Sequence, residues 1–356
     1  MTLPAAALCV FFCAGRARAV PRPIQPPAPN LPLEDIWLNA KGLSLKNLRG
    51  RRVAVVAFIN TANLNSLRAL AVLKAWDERY ALDGLSVIAV HTPLYGFQKD
   101  PPQVERAIRR LGVTFPVVLD DDGALWKAYA TEGWPAFYLV DTQGKIIYDL
   151  LGEGGYAEFE SELRDALTQA GFSVEGERGA VDPPQEDCGA ATPELALGSS
   201  ARRPATFIDL EAQGDEAPPA VDDLVVSSRD GELGLRGVWR RDPEALRLAK
   251  ADQEHSSYLR AICRGAQVFG LLSGPDGRES RFFVRQDGLW LHAGNAGPDV
   301  KFDAEGRSYV PAGEPRLYAL VNNPNDSEHA LSLMPADRGA AIHALQFADR
   351  CLPYKP

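Results

Sequence analysis

The stretch RRVAVVAFINTANLNSLRALAVLKAWDERY, residues 51–80, constrains the fold more than any other. Its first part, VAVVAFI, is a seven-residue apolar run and reads as a buried strand. After a short polar loop, Leu67, Leu70, Leu73 and Trp76 recur at helical spacing, which predicts an amphipathic helix. A buried strand feeding a one-sided helix calls for a layered α/β domain.

The following residues extend the pattern. LSVIAVHT (85–92) reads as a second buried strand, and PPQVERAIRRLGV (101–113) as a helix opened by prolines, which suit the first turn because they need no N–H partner there. FPVVLDD is a short strand and ALWKAYA a short helix. AFYLVDTQGKIIYDLLGE reads as a hairpin about Asp141–Gly144, and YAEFESELRDALTQA as a closing helix. The expected first domain, 34–171, is an α/β mixed sheet with helices on both faces. A linker over 172–191 is rich in Gly, Pro and acid. From 192 to 352 the segments become short, apolar and turn-separated, including SYLRAICRGAQVFGLLSG, SRFFVRQDG, RLYALVNN and AAIHALQFAD. This predicts an all-β sandwich, with the acidic span 205–235 as a long loop.

The net charge of −9 provides no basic face for phosphates, so no nucleic-acid partner is expected. Residues 1–19 carry an apolar run, Leu3 to Ala14, then Ala17-Arg18-Ala19, the small-x-small pattern of a secretory signal peptide. No Lys or Arg precedes the run. Export to the periplasm or the cell exterior is therefore expected, with a proline-rich lead-in over 20–33 and no membrane span in the mature chain. Cleavage would remove Cys9 and Cys13 and leave Cys188, Cys263 and Cys351. Because the ends of a sandwich often lie close, a Cys188–Cys351 bridge is expected, with Cys263–Cys351 as the competitor. Cys263, inside a β run, reads as a core thiol.

By its residues the first domain resembles the thioredoxin-like domain of the TlpA/DipZ group of exported thiol–disulfide proteins. The marks are VHTPLYGFQKD (90–100), FPVVLDDDGALWKAY (115–129), GWPAFYLVD (133–141) and GEGGY (152–156). TPELALG (192–198) and RLYALV (316–321) are similar to the C-terminal domain of DipZ-type proteins, a resemblance that implies a carbohydrate-binding-module-like jelly roll. The resemblance also implies a Cys-x-x-Cys at the start of the first long helix, where a thiolate is stabilised by the helix dipole and free N–H groups. Those positions hold Asn63 and Ser66, and no cysteine occurs from 34 to 170. Trp134-Pro135 matches the family's loop proline, usually cis, which presents backbone to an extended partner peptide.

The expectation is a redox-inactive binding module. Asn63, Ser66, Trp134 and Pro135 would face an extended peptide or an exported protein partner. The alternative is a thiol–disulfide or peroxide-linked protein using a distant cysteine. Asn63 and Ser66 also suit plain helix capping. His91 ends a strand with no nucleophile in view. Asp120-Asp121-Asp122 reads as a solvated turn before a cation site. Trp239, Trp290 and Tyr318 are candidates for stacking on a glycan, with core packing as the commoner fate. HAGNAGPDVKFD (292–303) offers loop polar groups of low specificity for sugar or calcium. There is no Gly-rich phosphate loop, HExxH, paired Cys/His zinc spacing or Gly-x-Ser-x-Gly elbow, so no cofactor or metal is expected.

Overall fold

A computed structural model describes residues 25–176, 179, 191–201, 205–207, 229–251 and 256–350. The expected signal segment, Cys188, Cys351 and hence either bridge, and most of the acidic span lie outside the described residues.

The first domain comprises β1 (Trp37–Leu38), α1 (Leu45–Leu48), β2 (Val53–Ile59), α2 (Leu64–Tyr80), β3 (Leu85–His91), α3 (Pro101–Arg110), β4 (Val117–Leu119), α4 (Ala124–Ala128), β5 (Ala136–Val140), β6 (Ile146–Leu151) and α5 (Tyr156–Gln169). The strands form one sheet in the order β1-β4-β3-β2-β5-β6. β2, β3 and β4 run parallel, while β1, β5 and β6 join antiparallel. This is the expected mixed sheet, with β1 and α1 added where the sequence carried no strong period.

Alternation along β2 builds two cores. Val53, Val55 and Ala57 pack with Leu70 and Trp76 of α2, Ile108 of α3 and Phe159 of α5. Ala54, Val56 and Phe58 face the other way, toward Leu45 of α1, Leu125 of α4 and Tyr129. The continuous apolar run of β2 is thus explained by cover on both faces.

The second domain comprises β7 (Leu195–Ala196), β8 (Leu233–Arg236), β9 (Trp239–Arg241), β10 (Leu246–Leu248), β11 (Tyr258–Arg264), β12 (Gln267–Ser273), β13 (Ser280–Gln286), β14 (Leu289–Trp290), β15 (Lys301–Phe302), β16 (Ser308–Ala312), β17 (Arg316–Asn322), β18 (Glu328–Pro335) and β19 (Ala341–Ala348). Two antiparallel sheets result. One has the order β17-β12-β19-β10-β9 with β7 on β19, the other β15-β16-β13-β18-β11-β8 with β14 on β13. SYLRAICRGAQVFGLLSG is not one unit: β11 lies in one sheet and β12 in the other. The chain crosses at Gly265, where a φ of 152° would strain any side chain and a Cβ would crowd the Ala348 carbonyl.

The sheet containing β12, β17 and β19 is covered on both sides. Val268, Leu320 and Leu345 point into the sandwich. Phe269, Leu271, Leu317, Ala319, Ala344 and Ala348 join the core around α2 of the first domain. All eight residues of β19 are buried. The two domains therefore share a hydrophobic core.

Candidate functional site

The degenerate motif lies where β2 hands over to α2. Asn63 is the N-cap: its backbone is extended and its Oδ1 accepts the Ser66 N–H at 2.9 Å. Ser66 is fully buried, and its Oγ accepts the Asn60 N–H at 3.1 Å. Asn60, also buried, exchanges two hydrogen bonds with Gln98, at 3.0 and 2.8 Å, and donates to the Thr92 carbonyl. The polar residues of the loop thus close on one another and on the ends of β2 and β3. Capping is the favoured use of Asn and Ser at such a terminus, because the first N–H groups of a helix lack intrahelical partners.

The next N–H is taken by the other domain. Gln346 of β19 accepts from Leu64 N at 2.7 Å through Oε1 and donates to the Ala62 carbonyl at 2.8 Å through Nε2. Nε2 also lies 3.2 Å from Oε1 of Glu194. Burial pushes the Glu194 carboxyl above the ordinary range, and the Gln346 contact partly opposes this. Gln346 is 4% exposed. Nearby, His343 packs edge-on to Tyr95 and Phe97, Glu244 accepts the Gly96 N–H at 2.6 Å, and Arg106 pairs with Glu314 at 2.6 Å. A cavity of about 340 Å³ remains beside the motif, lined by Asn63, Asn65, Glu153, Glu194 and Gln346 among others. The terminus that would activate a thiolate thus has amide oxygens on the Leu64 and Ser66 N–H groups.

The Trp134–Pro135 bond is cis. Pro135 is buried, and its carbonyl accepts the Gly152 N–H at 2.8 Å. The Trp134 ring packs on Trp126, with centroids 4.5 Å apart, in the core opposite α2. Asn63 and Ser66 therefore come together, while the Trp134 ring belongs to another layer.

His91 is fully buried, with Nε2 3.2 Å from Thr61 Oγ1, and burial lowers its pKa to about 4. It is a neutral core imidazole. Asp120 is not part of a solvated turn: it is 2% exposed, accepts the Leu125 and Trp126 N–H groups at 2.8 and 2.9 Å, and so caps α4. Asp122 accepts the Ala124 N–H. Among the described residues no group of three or more His, Cys, Asp or Glu is arranged to hold a metal ion.

The expected stacking trio does not assemble. Trp239 is fully buried and Tyr318 is 4% exposed, both on the sheet that carries β19, and both lie in the sandwich core. Trp290 lies on the other sheet, beneath the Arg285 guanidinium at 3.9 Å. It belongs to a row that sequence reasoning missed, Trp290-Phe283-Tyr309, with centroid spacings of 6.1 and 5.9 Å. Arg281 lies over Tyr309 and Arg307 over Phe283. Within the 292–303 loop, Asp299 is committed to Arg316 and the Ala319 N–H, and Asp303 to Arg307. Cys263 is 3% exposed. Burial, reinforced by Asp230, Asp287 and Glu328, pushes its thiol up to about 12.

Residues 25–167 match the Redoxin family. Protein DipZ of Mycobacterium bovis is 33% identical over 222 residues, which cover 60% of this chain and 31% of DipZ. The chain thus spans less than a third of that relative. Thiol-disulfide oxidoreductase YkuV of Bacillus subtilis is 26% identical over 146 residues, 41% of this chain and 97% of YkuV. Among solved structures, a thioredoxin-like protein in the oxidised form aligns at 27% identity, covering 41% of this chain and 97% of its own, with a TM-score of 0.37. Among the described residues no helix is long and apolar enough to cross a membrane.

Proposed function

Because its first domain is a redoxin domain related to DipZ and to thiol–disulfide oxidoreductases, we propose that this protein is an exported, redox-silent member of that group that binds rather than reacts. The observation that carries this reading is Gln346. A side chain from the sandwich occupies the helix terminus where the family places its nucleophile. Asn63 and Ser66 have no thiol to exchange, and each is engaged in capping or in closing the loop. Cys263 offers no substitute, since a useful thiol must be accessible and electropositively placed, and this one is buried among acids.

In this reading the surface that would receive an extended partner in the family receives β19 instead, and the two domains act as one unit. An exported protein or peptide partner then meets the composite surface rather than a free groove. Insulin-disulfide reduction with dithiothreitol tests the proposal. The wild-type protein is expected to add nothing to the rate of dithiothreitol alone. Catalysis by the wild type, lost on Cys263→Ser, would overturn it.

A further inference from the structure

The joined domains border a larger, partly open space than the one beside the motif. A cavity of about 560 Å³ lies between α2, the end of α3, β12 and β17. Its volume falls within the ~300–1,000 Å³ of small-molecule sites. Leu67 and Leu70 of α2 supply apolar wall from one domain, and Phe269 and Leu317 supply it from the other.

Four cations line this space, and two of them are already neutralised. Arg68 makes a two-point pair with Glu153, at 2.7 and 2.5 Å. Arg316 pairs with Asp299 at 2.7 and 3.3 Å. The other two, Lys74 and Arg110, are not. Among the described residues the Lys74 ammonium donates only to the Leu111 carbonyl, at 3.1 Å, one bond for its three donors. Arg110, one residue earlier in the chain than Leu111, makes no hydrogen bond or ion pair among the described residues. Desolvation by burial, then repulsion from Arg316, disfavours its charged form, and attraction to Tyr318, Glu314 and Asp299 partly opposes this. The carboxylates near it, Asp299 and Glu314, are committed to Arg316 and Arg106. Lys74 and Arg110 thus both line the cavity by the end of α3 with no carboxylate hydrogen-bonded to either among the described residues, beside an apolar wall assembled from both domains.

We propose that this interdomain cavity binds an anionic amphiphile, with its carboxylate or phosphate on Lys74 and Arg110 and its apolar body against Leu70, Phe269 and Leu317. Such an anion would meet the fork of donors for which Arg110 has no hydrogen-bonded acceptor among the described residues. The proposal rests on the reading of the two domains as one docked unit, because half of the wall comes from each.

The test is titration calorimetry of the full chain with decanoate, decyl phosphate and uncharged decanol, with hydrogen exchange at the Leu64 amide followed in parallel. Decanoate or decyl phosphate is expected to bind with 1:1 stoichiometry, and comparing the two identifies the preferred headgroup. Decanol should bind at least about tenfold more weakly, and Lys74→Gln and Arg110→Gln should each weaken the anions by about tenfold without changing decanol. Leu70→Trp, which fills the space, should abolish binding of all three. Equal binding of anion and alcohol, or anion binding indifferent to all three variants, would overturn the proposal. No binding by a protein whose Leu64 amide is protected overturns the cavity assignment alone. No binding together with an unprotected Leu64 amide overturns both the cavity and the docked unit.

Discussion

Two places in this protein treat sulfur in opposite ways. The start of α2 is a helix N-terminus, the environment that lowers a thiol's pKa and makes it attack, and it holds Asn63 and Ser66. β11 holds Cys263, in a buried and acid-flanked environment that raises the thiol to about 12. One place has the setting without the thiol, and the other has the thiol without the setting. Reactivity belongs to the environment, so the presence of a cysteine in this chain says little about redox chemistry. A terminus without the two cysteines still has N–H groups in need of acceptors. Asn63 and Gln346 provide them.

The strongest test of this contrast is to put a thiol in the setting that lacks one. Asn63→Cys places sulfur at the N-cap, beside the 340 Å³ cavity. Its reaction with a small aromatic disulfide near neutral pH is expected to exceed that of Cys263 in the folded wild type by on the order of a thousandfold, from thiolate fraction and access together. Insulin, too large for that cavity, should react far less readily with the same variant. If the introduced thiol reacts as slowly as Cys263, the docked sandwich has cancelled the helix terminus as well as covered it.

A smaller effect is expected from removing the cover itself. Gln346→Ala leaves the Leu64 N–H and the Ala62 carbonyl without their partner in a buried interface. Orphaned buried groups of this kind cost about 1–3 kcal/mol each, so denaturant unfolding should show a loss of about 2–6 kcal/mol. A loss below about 0.5 kcal/mol would mean that water reaches both groups, and that the domains are not closed over the motif.

What sequence could and could not reveal follows the same line. The strand–helix alternation of 53–170 was legible because each element buries a periodic face within its own neighbourhood. The β-rich character of the second half was legible for the same reason. Gln346 was not: it bonds to Leu64 across 282 positions, and the two polar residues of AIHALQFA, His343 and Gln346, form no local pattern. A trace of it did exist, since a strand with no polar alternation announces cover on both faces, and β19 is buried throughout. The covering element was simply in the other domain. The glycan trio failed for a related reason. Aromatic identity was readable, but which face of which sheet each ring takes depends on register, and Trp239 and Tyr318 fall on the inward positions. Asp120 looked like part of a solvated turn because the helix it caps, α4, is only five residues long.

The finest test of the docked interface is its pH dependence. His343 is nearly inaccessible, with Nε2 3.0 Å from Ser273 Oγ and Nδ1 3.2 Å from the Glu244 carbonyl, and burial reinforced by Arg247 holds its pKa at about 4. The unfolded chain would bind a proton near pH ~6.5. Between about 6.5 and 4 the unfolded state therefore carries more protons than the folded one, and stability falls as pH falls. The slope is about 1.4 kcal/mol per pH unit for each such histidine. His91, neutral for the same reason, adds in the same direction. Glu194 opposes them: its raised carboxyl takes up a proton in the folded state before the unfolded chain does, so its contribution grows as pH falls toward the carboxylate range. His343→Asn should flatten the unfolding free energy over about pH 6.5 to 4, and Glu194→Gln should steepen its lower end. If the asparagine variant keeps the full wild-type slope, His343 is not held neutral between the domains, and the interface is wetter than its packing against Tyr95 and Phe97 implies.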